Sequence, residues 1–463
     1  MKKALSLVLA LLMSMALLTA CGSGGDPGSS GGSLDPDLPT YDSLQVGEDY
    51  TDLKAELRVI THRTDLIQED PDGRDFTDFV KEFNALYPNI TINYEGITNY
   101  NDDMSTRISS NNWGDICMIP QSILLPDLHL YFQPVCQLSS IEADYNFATN
   151  RAYDGLVYGI PSTGNAQGII YNKKVAEAAG YTSDSLPKTP DEFLKFLQDI
   201  KDKTDAIPLY TNFAAGWTMT AWDAYISGGA TADADWMNIT MPQTKDPFAD
   251  RGDGTGPYAV YKLLYDAVSL GLTEDAPTAT DWEGCKPMIN NGEIGAMVLG
   301  SWAIIQMQEA GPNAADIGYM PFPITQPDGK QYASAGSDYC YGVNNSISND
   351  NKIAAMLYIK WLTESSNFAY DQGGVPVLKS QPYPATLAAF DGIELVEDTA
   401  APTEIASLQA DVNRESELSL NADQTHVQRI VEAVITGGET FEDIISDWNA
   451  RWNAAVDRYA PKS

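Results

Sequence analysis

Two tryptophans stand where the chain leaves predicted secondary structure. Trp302 follows a buried apolar run and a Gly-Ser pair, and Trp217 follows a short turn that ends in Gly216. Indole rings offer a large flat apolar surface at little entropy cost, so they can stack on the apolar face of a small molecule. For both residues the alternative is burial in the core. Trp222 and Trp282 are expected to be structural.

Charged side chains occupy two further turns next to predicted strands. Arg63 and Asp65 lie in the polar loop after the first strand, and Asp115 lies in a Gly-Asp turn at a strand terminus. Charged groups form stronger hydrogen bonds with hydroxyls than neutral groups do. The alternatives are an ion pair between Arg63 and Asp65 and a turn-capping role for Asp115.

Flat aromatic surfaces combined with planar polar groups are suited to sugars. A sugar has apolar C–H faces and a rim of hydroxyls, so it needs both kinds of contact. The supply of nine Trp and 24 Tyr favours this ligand class. A cation such as a polyamine is the rival ligand, because carboxylates are abundant in the chain.

The motifs of common enzymes are missing from the sequence. The three histidines, His62, His129 and His426, are far apart, and there is no His-Glu-x-x-His, Gly-x-Ser-x-Gly or Gly-Lys-Ser/Thr segment. A binding protein without a cofactor or metal is therefore expected. A secreted glycosidase that uses two carboxylates stays open, because 64 acidic residues allow many such pairs.

Charge and cysteine usage narrow the possible partners. The formal net charge is −36, which disfavours nucleic acid and anionic lipid headgroups as partners. No Cys-x-x-Cys pair is present. Cys117 and Cys136 are expected either to form a disulfide or to remain free buried thiols.

The first residues are typical of a secretory signal. Two lysines precede an apolar run over residues 4–18, which is too short to span a membrane, and Leu-Thr-Ala-Cys21 resembles the bacterial lipobox. That resemblance implies lipidation of Cys21 after removal of residues 1–20. Ten of the next 12 residues are Gly or Ser, so residues 21–52 are predicted to be a flexible tether on the extracellular face of the cytoplasmic membrane.

The remaining chain alternates between strand and helix periodicity. Residues 57–60 and 90–94 have strand patterns, residues 76–86 have helical spacing, and Thr189-Pro190-Asp191-Glu192 is a capping box. This alternation predicts an α/β fold with a mainly parallel sheet, and a length of about 410 residues suits two domains. Ligands of such sheets bind at the carboxyl ends of the strands.

An ordered set of short segments carries a family resemblance over nearly the whole mature chain. The segments are Tyr87-Pro88, Gly114-Asp115-Ile116, Tyr158-Gly159-Ile160-Pro161, Tyr171-Asn172-Lys173, Pro187-Lys188-Thr189-Pro190-Asp191-Glu192-Phe193, the 291–297 segment and Gly300-Ser301-Trp302. In this order, behind a lipobox, they resemble the extracellular solute-binding proteins of ABC importers, in the maltose-binding-like carbohydrate family.

The resemblance implies a two-lobed, type II periplasmic-binding-protein-like fold with the ligand cleft between lobes joined by a hinge. Residues 53–161 and 337–375 are expected in lobe 1, and residues 162–336 and 376–463 in lobe 2. The implied ligand is an oligosaccharide. The implied partners are two permease subunits and a cytoplasmic ATPase, with the chain itself a monomer.

The resemblance also implies positions for individual ligand-binding residues. The family places a stacking tryptophan where this chain has Trp302. Asp338 lies at an expected crossing between the lobes, and Asn165, with the weaker candidate Gln167, flanks another. His426 lies in a late helix that, in relatives, returns a residue to the cleft.

Overall fold

A computed structural model describes residues 32–67, 74–98 and 100–460 of the chain, so the predicted signal peptide and Cys21 lie outside the described residues. The strands of these residues are β1 (Ala55–Thr61), β2 (Ile90–Gly96), β3 (Ile116–Met118), β4 (Cys136–Gln137), β5 (Ala152–Tyr153), β6 (Leu156–Val157), β7 (Gly159–Pro161), β8 (Gly164–Asn172), β9 (Ile207–Leu209), β10 (Ile294–Gly300), β11 (Ile317–Pro321), β12 (Tyr332–Ser337), β13 (Cys340–Val343) and β14 (Glu394–Val396).

The α-helices cover the faces of the sheets. They are α1 (Phe76–Asn84), α2 (Tyr100–Ser109), α3 (Leu128–Tyr131), α4 (Lys173–Ala179), α5 (Pro190–Lys203), α6 (Gly228–Thr231), α7 (Gly256–Ser269), α8 (Trp282–Asn290), α9 (Ala303–Glu309), α10 (Asn349–Glu364), α11 (Phe368–Asp371), α12 (Leu408–Glu415), α13 (Thr425–Thr436) and α14 (Phe441–Tyr459).

The strands form two main sheets. The first has the order β2-β1-β3-β13-β7, and the second has the order β14-β12-β8-β10-β9. Strand β12 pairs with the first half of β8, and β11 pairs with the second half on the same side. In the first sheet β1 runs parallel to both β2 and β3. A small third sheet has the order β4-β6-β5.

Each main sheet has its own hydrophobic core. The first sheet packs with α1, α2 and α10, whose buried residues include Phe79, Met104 and Leu357. The second sheet is covered by residues of the 169–324 segment and of the C-terminal helices. The predicted two-lobed α/β architecture is therefore confirmed.

Local sequence signals account for several helix ends. The Thr189 hydroxyl accepts a hydrogen bond from Glu192 N at 3.3 Å, and Pro190 occupies the first turn, where no backbone donor is needed. The Glu192 carboxylate reaches back to Lys188 N at 2.8 Å, one residue before the cap. Helix α4 ends at Gly180, whose φ of 102° suits a residue without a Cβ.

The segment 336–343 is divided between the two sheets. Ser337 ends β12 in the second sheet, and Cys340 begins β13 in the first. Asp338 and Tyr339 therefore cross from one lobe to the other. A crossing in the opposite direction joins Pro161 of β7 to Gly164 of β8.

The last return of the chain lies later than the predicted boundary at residue 376. Val377 is buried in the core of the first lobe, Asn146 N donates to its carbonyl at 2.8 Å, and the Gln381 side chain donates to Glu364 O at 2.8 Å. Leu387 packs in the second lobe. The chain thus returns between Gln381 and Leu387, because residues 377–381 find their partners on the first lobe.

The prediction of a flexible tether over residues 21–52 is wrong for its second half. Tyr41 is 0% exposed and Leu44 is buried in the first-lobe core. Tyr41 N donates to Val135 O at 2.8 Å, and the Tyr41 hydroxyl lies 3.2 Å from the Thr363 hydroxyl. Apolar side chains spaced along this Pro- and Asp-rich segment dock it onto lobe 1.

Replacing Tyr41 by phenylalanine is expected to lower the free energy of unfolding by about 1 kcal/mol, because it removes one buried hydroxyl contact and keeps the ring. Urea denaturation measures this change. Tyr50→Phe is the matched control in the same segment: Tyr50 is 44% exposed, and its replacement should change stability by less than about 0.5 kcal/mol. Equal effects of the two changes would contradict the docking of this segment.

Cys117 and Cys136 are free and buried, as are Cys285 and Cys340, so the predicted alternative of free thiols applies. Burial raises the pKa of the Cys136 thiol to about 12, which keeps it protonated and unreactive. Among the helices of the described residues, none has the length and apolar character to cross a bilayer.

Candidate ligand-binding site

The two main sheets face each other with the edges at which their parallel strands end. In the first lobe β1 and β3 are parallel, and their carboxyl ends lie at one edge together with the end of β7. In the second lobe β9 and β10 are parallel, and the start of antiparallel β8 lies beside the end of β10. The crossings at residues 162–163 and 338–339 join these edges, so ligand-binding loops of both lobes meet there.

A polar cluster occupies the joint between the edges. His62 Nε2 lies 3.1 Å from the Asp338 carboxylate, and Asn165 Nδ2 lies 3.4 Å from the other carboxylate oxygen. Arg63 pairs with Asp65 at 2.6 Å and also donates to Gln372 Oε1 at 2.5 Å. The structure therefore brings together four predicted site residues, and the alternative of an Arg63–Asp65 pair is realised.

The ionisation of this cluster follows from its contacts. Burial favours a raised pKa for Asp338, but the hydrogen bond from His62 and the charges of His62 and Arg63 outweigh it, so the pKa lies below its ordinary value. Burial likewise opposes the charges of Arg63 and Asp65. Their mutual hydrogen bonds prevail, raising the pKa of Arg63 and lowering that of Asp65. The cluster presents Asp338 as a fixed anionic acceptor.

Three tryptophans form a cluster on the second lobe. Ring centroids are 5.0 Å apart between Trp217 and Trp282, 5.7 Å between Trp217 and Trp302, and 5.8 Å between Trp282 and Trp302. Trp217 is 47% exposed, and the other two rings are partly buried. The cluster offers solvent-facing indole surface at the end of β10, and stacking of a ligand on Trp302 and Trp217 stays a prediction. Trp222, predicted to be structural, is buried.

Residues of the β10 end fix the position of Trp302. The Ser301 hydroxyl accepts from Ala166 N at 3.1 Å, and Ser301 N donates to Ala166 O at 2.9 Å. A Cβ on Gly300 would lie only 2.6 Å from Trp302 Nε1, so a glycine lets the indole fold back over the strand end. These contacts preorganise the ring.

Asn165 connects the polar cluster to the tryptophan cluster. Its side chain contacts Asp338 on one side and lies 3.5 Å from the Ser301 hydroxyl on the other. Ser301 precedes Trp302 directly. A molecule of a few sugar rings at this edge would touch both an indole surface and hydroxyl-pairing groups.

Asp115 does not belong to this site. It precedes β3, so it lies at the amino end of a parallel strand, at the edge of the sheet away from the crossings. Its carboxylate accepts from Arg58 N at 2.8 Å and from Asn351 Nδ2 at 2.8 Å. The prediction of ligand binding is wrong, because the two carboxylate oxygens tie β1 to α10. This structural role differs from the turn capping given as the alternative.

His426 also lies elsewhere, since it is buried in the second-lobe core at 4% exposure. Its Nε2 is 2.8 Å from Asp223 Oδ1, and its ring packs edge-on against Trp448 and Tyr261. The predicted ligand contact is therefore wrong. On α13 His426 shares the inward face with Ile430, which the helical spacing alone could have indicated.

Sequence reasoning missed several residues of the site. His62 lay in the polar loop that was singled out, but a lone histidine gave no further signal. Its ring packs against Tyr339 at a tilt of 33°, with centroids 4.5 Å apart. Arg151 lies at the same edge, where Nη2 donates to Pro120 O at 3.4 Å. Trp282 was taken as structural, although it completes the tryptophan cluster.

No group of three or more His, Cys, Asp or Glu in the described ranges is arranged to hold a metal ion. The side chains gathered at the site supply aromatic surface, the carboxylate of Asp338, amides and guanidinium groups. Groups of these kinds can stack on an uncharged polar molecule and form hydrogen bonds with it.

Comparison with known proteins agrees with this geometry. The model of the bacterial extracellular solute-binding protein family matches residues 68–367. A manno-oligosaccharide specific solute binding protein of Bifidobacterium animalis subsp. lactis, solved with mannotriose, is 42% identical with a TM-score of 0.83 and covers 91% of this chain and 99% of its own. A second binding protein of an ABC transporter from that organism, solved with mannobiose, is 44% identical with the same score and the same coverage.

A curated relative extends the comparison to another genus. The multiple sugar-binding protein of Streptococcus mutans is 23% identical over 317 residues, which is 64% of this chain and 70% of that protein. The relatives are binding proteins of ABC transporters and not enzymes, and the fold is that of type II periplasmic binding proteins. The chain belongs to the bacterial extracellular solute-binding protein family.

Proposed function

We propose that this protein captures manno-oligosaccharides between its two lobes and delivers them to the permease subunits of an ABC importer. In this proposal it acts as a monomer, held by lipidated Cys21 at the extracellular face of the cytoplasmic membrane. Ligand capture alternates with hinge motion about the crossing segments, and a cytoplasmic ATPase drives release into the cell.

One observation carries the proposal: the Asp338–Asn165–Ser301 contacts that link the polar cluster to Trp302. These contacts support the proposal because they bring an indole surface and hydroxyl-pairing groups close enough for one short oligosaccharide to reach both. The choice of mannose oligosaccharides is supported by two relatives of 42% and 44% identity whose solved complexes hold mannotriose and mannobiose.

The same contacts disfavour a polyamine. A site for a polycation needs carboxylates whose charge is not already neutralised. Here Asp65 forms an ion pair with Arg63, and the charge of Arg63 also acts on Asp338. A polyamine would therefore compete with Arg63 for the two carboxylates of this cluster.

Titration calorimetry of a lipid-free form of the chain, with residues 1–21 removed, tests the proposal. Mannotriose is expected to bind with one-to-one stoichiometry and a dissociation constant of about 1 μM, and at 100 times that concentration it should stabilise the fold by about 2.7 kcal/mol. Raffinose and spermidine serve as controls and should give no stabilisation. Stabilisation by spermidine but not by mannotriose or mannobiose would overturn the proposal, and release of mannose would indicate a glycosidase.

A further inference from the structure

A buried carboxylate holds the start of the loop that leads to Trp217. Glu274 is 8% exposed, and its two oxygens accept hydrogen bonds from the backbone N–H of Thr211, at 2.9 Å, and from the Thr211 hydroxyl. Burial raises the pKa of Glu274. Burying a carboxyl group is costly, and the hydrogen bonds to Thr211 that offset this cost also fix Thr211 in place.

Thr211 begins the loop that carries Trp217. Tyr210 separates it from the end of β9, and its hydroxyl also accepts from Phe213 N at 3.3 Å. The next residue, Asn212, has a φ of 58°, so the chain turns sharply there. Fixing Thr211 in two places therefore fixes the start of the turn that leads to Trp217.

Two more hydrogen bonds join this loop to the segment that follows Glu274. Ala214 N donates to the Thr280 hydroxyl at 2.7 Å, and Asp281 N donates to the Tyr210 hydroxyl at 3.0 Å. Asp281 caps α8, whose first residue is Trp282. The loops 210–217 and 274–282 thus form one unit that carries two of the three tryptophans.

We propose that Glu274 is a positioning residue for sugar binding: by holding Thr211 it sets the placement of Trp217 against Trp282 and Trp302. This inference rests on the proposed function and assigns a role to a residue that does not touch the ligand. Without the carboxylate, the Thr211 donors lose their acceptor and the loop gains conformations. Indole surface that is no longer preorganised then contributes less to affinity.

Glu274→Ala is the direct test, with Glu274→Gln as the conservative variant. Glu274→Ala is expected to raise the dissociation constant for mannotriose at least about 10-fold. Glu274→Gln should raise it by less than about threefold, since the amide can both accept from Thr211 N and donate to the Thr211 hydroxyl. Ile444→Ala, in the buried core of the same lobe, should lower the melting temperature and leave the affinity unchanged.

A double-mutant cycle with Trp217→Ala separates positioning from general loosening of the lobe. In the Trp217→Ala background, Glu274→Ala should change affinity by less than about twofold. The proposal would be overturned if Glu274→Ala left the affinity unchanged, or if it weakened binding by the same factor in both backgrounds. If Glu274→Ala does not fold, Thr211→Val replaces it in the cycle, with an expected loss of about threefold to tenfold that must likewise vanish without Trp217.

Acrylamide quenching of tryptophan fluorescence needs no ligand, so it distinguishes failure of this inference from failure of the proposed function. Glu274→Ala should increase quenching, and Glu274→Gln should not. If the wild-type chain bound no mannotriose, increased quenching would still support the role of Glu274 in the loop. Unchanged quenching in Glu274→Ala would overturn that role.

Discussion

Replacing Trp302 by alanine is expected to raise the dissociation constant for mannotriose at least about 30-fold, which corresponds to about 2 kcal/mol. Trp302 stands at the end of β10 and packs against both Trp217 and Trp282. Its loss removes stacking surface and also leaves the two remaining rings without their neighbour. Titration calorimetry measures the change.

Two further variants show whether the loss belongs to the site. Trp302→Phe keeps a smaller flat ring, and its affinity should lie between those of the wild type and Trp302→Ala. Trp448→Phe changes a tryptophan that is fully buried beside His426, so it should affect stability but not affinity. Wild-type affinity in Trp302→Ala would show that the indole is a core residue.

Asp338→Ala is expected to weaken mannotriose binding about 100-fold, because hydrogen bonds to a charged group contribute about 1.5–3 kcal/mol each. The change also frees His62 and Asn165, which now hold the carboxylate between them. Asp338→Asn keeps the shape and one acceptor oxygen, so a smaller loss is expected. Calorimetry at neutral pH compares the variants.

The pH dependence of the Asp338 contribution to mannotriose affinity follows from the lowered pKa of Asp338. A carboxyl group whose pKa is lowered by folding stabilises the folded protein above the pKa that the group has in the unfolded chain. This stabilisation is lost as the pH falls through the pKa of the group in the folded protein. Asp338 is therefore ionised from pH 5 to 8, and its share of the affinity should disappear only below its ordinary value of 3.8. A loss of that share already near pH 6 would contradict this ionisation.

Asp115→Ala is the matched control for Asp338→Ala. Asp115 is also an aspartate next to a strand, but its oxygens bind Arg58 N and Asn351 at the opposite edge of the first sheet. The expected result is lower stability with an affinity within about twofold of the wild type. An equal loss of affinity in both variants would mean that it reflects damage to the lobe.

Much of the fold could be predicted because its signals are local. The capping box at Thr189 and the glycine at the end of α4 identify their helix ends without any tertiary information. Strand and helix periodicity likewise identified the α/β class. Trp302 could be proposed as a stacking residue because a buried strand followed by Gly-Ser marks a strand end, where ligands of such sheets bind.

The errors share a physical cause, which is that distant segments decide where a residue lies. Asp115 precedes its strand, and the strand's neighbours determine that this end points away from the crossings. Tyr41 looked like part of a linker because its partners, Val135 and Thr363, are far away in the sequence. Trp282 lies beside Trp217 because hydrogen bonds join the two loops that carry these residues.

A crystal structure of the mature chain with mannotriose tests the central claim most directly. We expect one pyranose ring to lie on Trp302 within about 4 Å, and a hydroxyl of the trisaccharide to donate to the Asp338 carboxylate. Mannotriose bound elsewhere, for example in the groove between β11 and residues 385–393, with Trp302 and Asp338 untouched, would contradict the account.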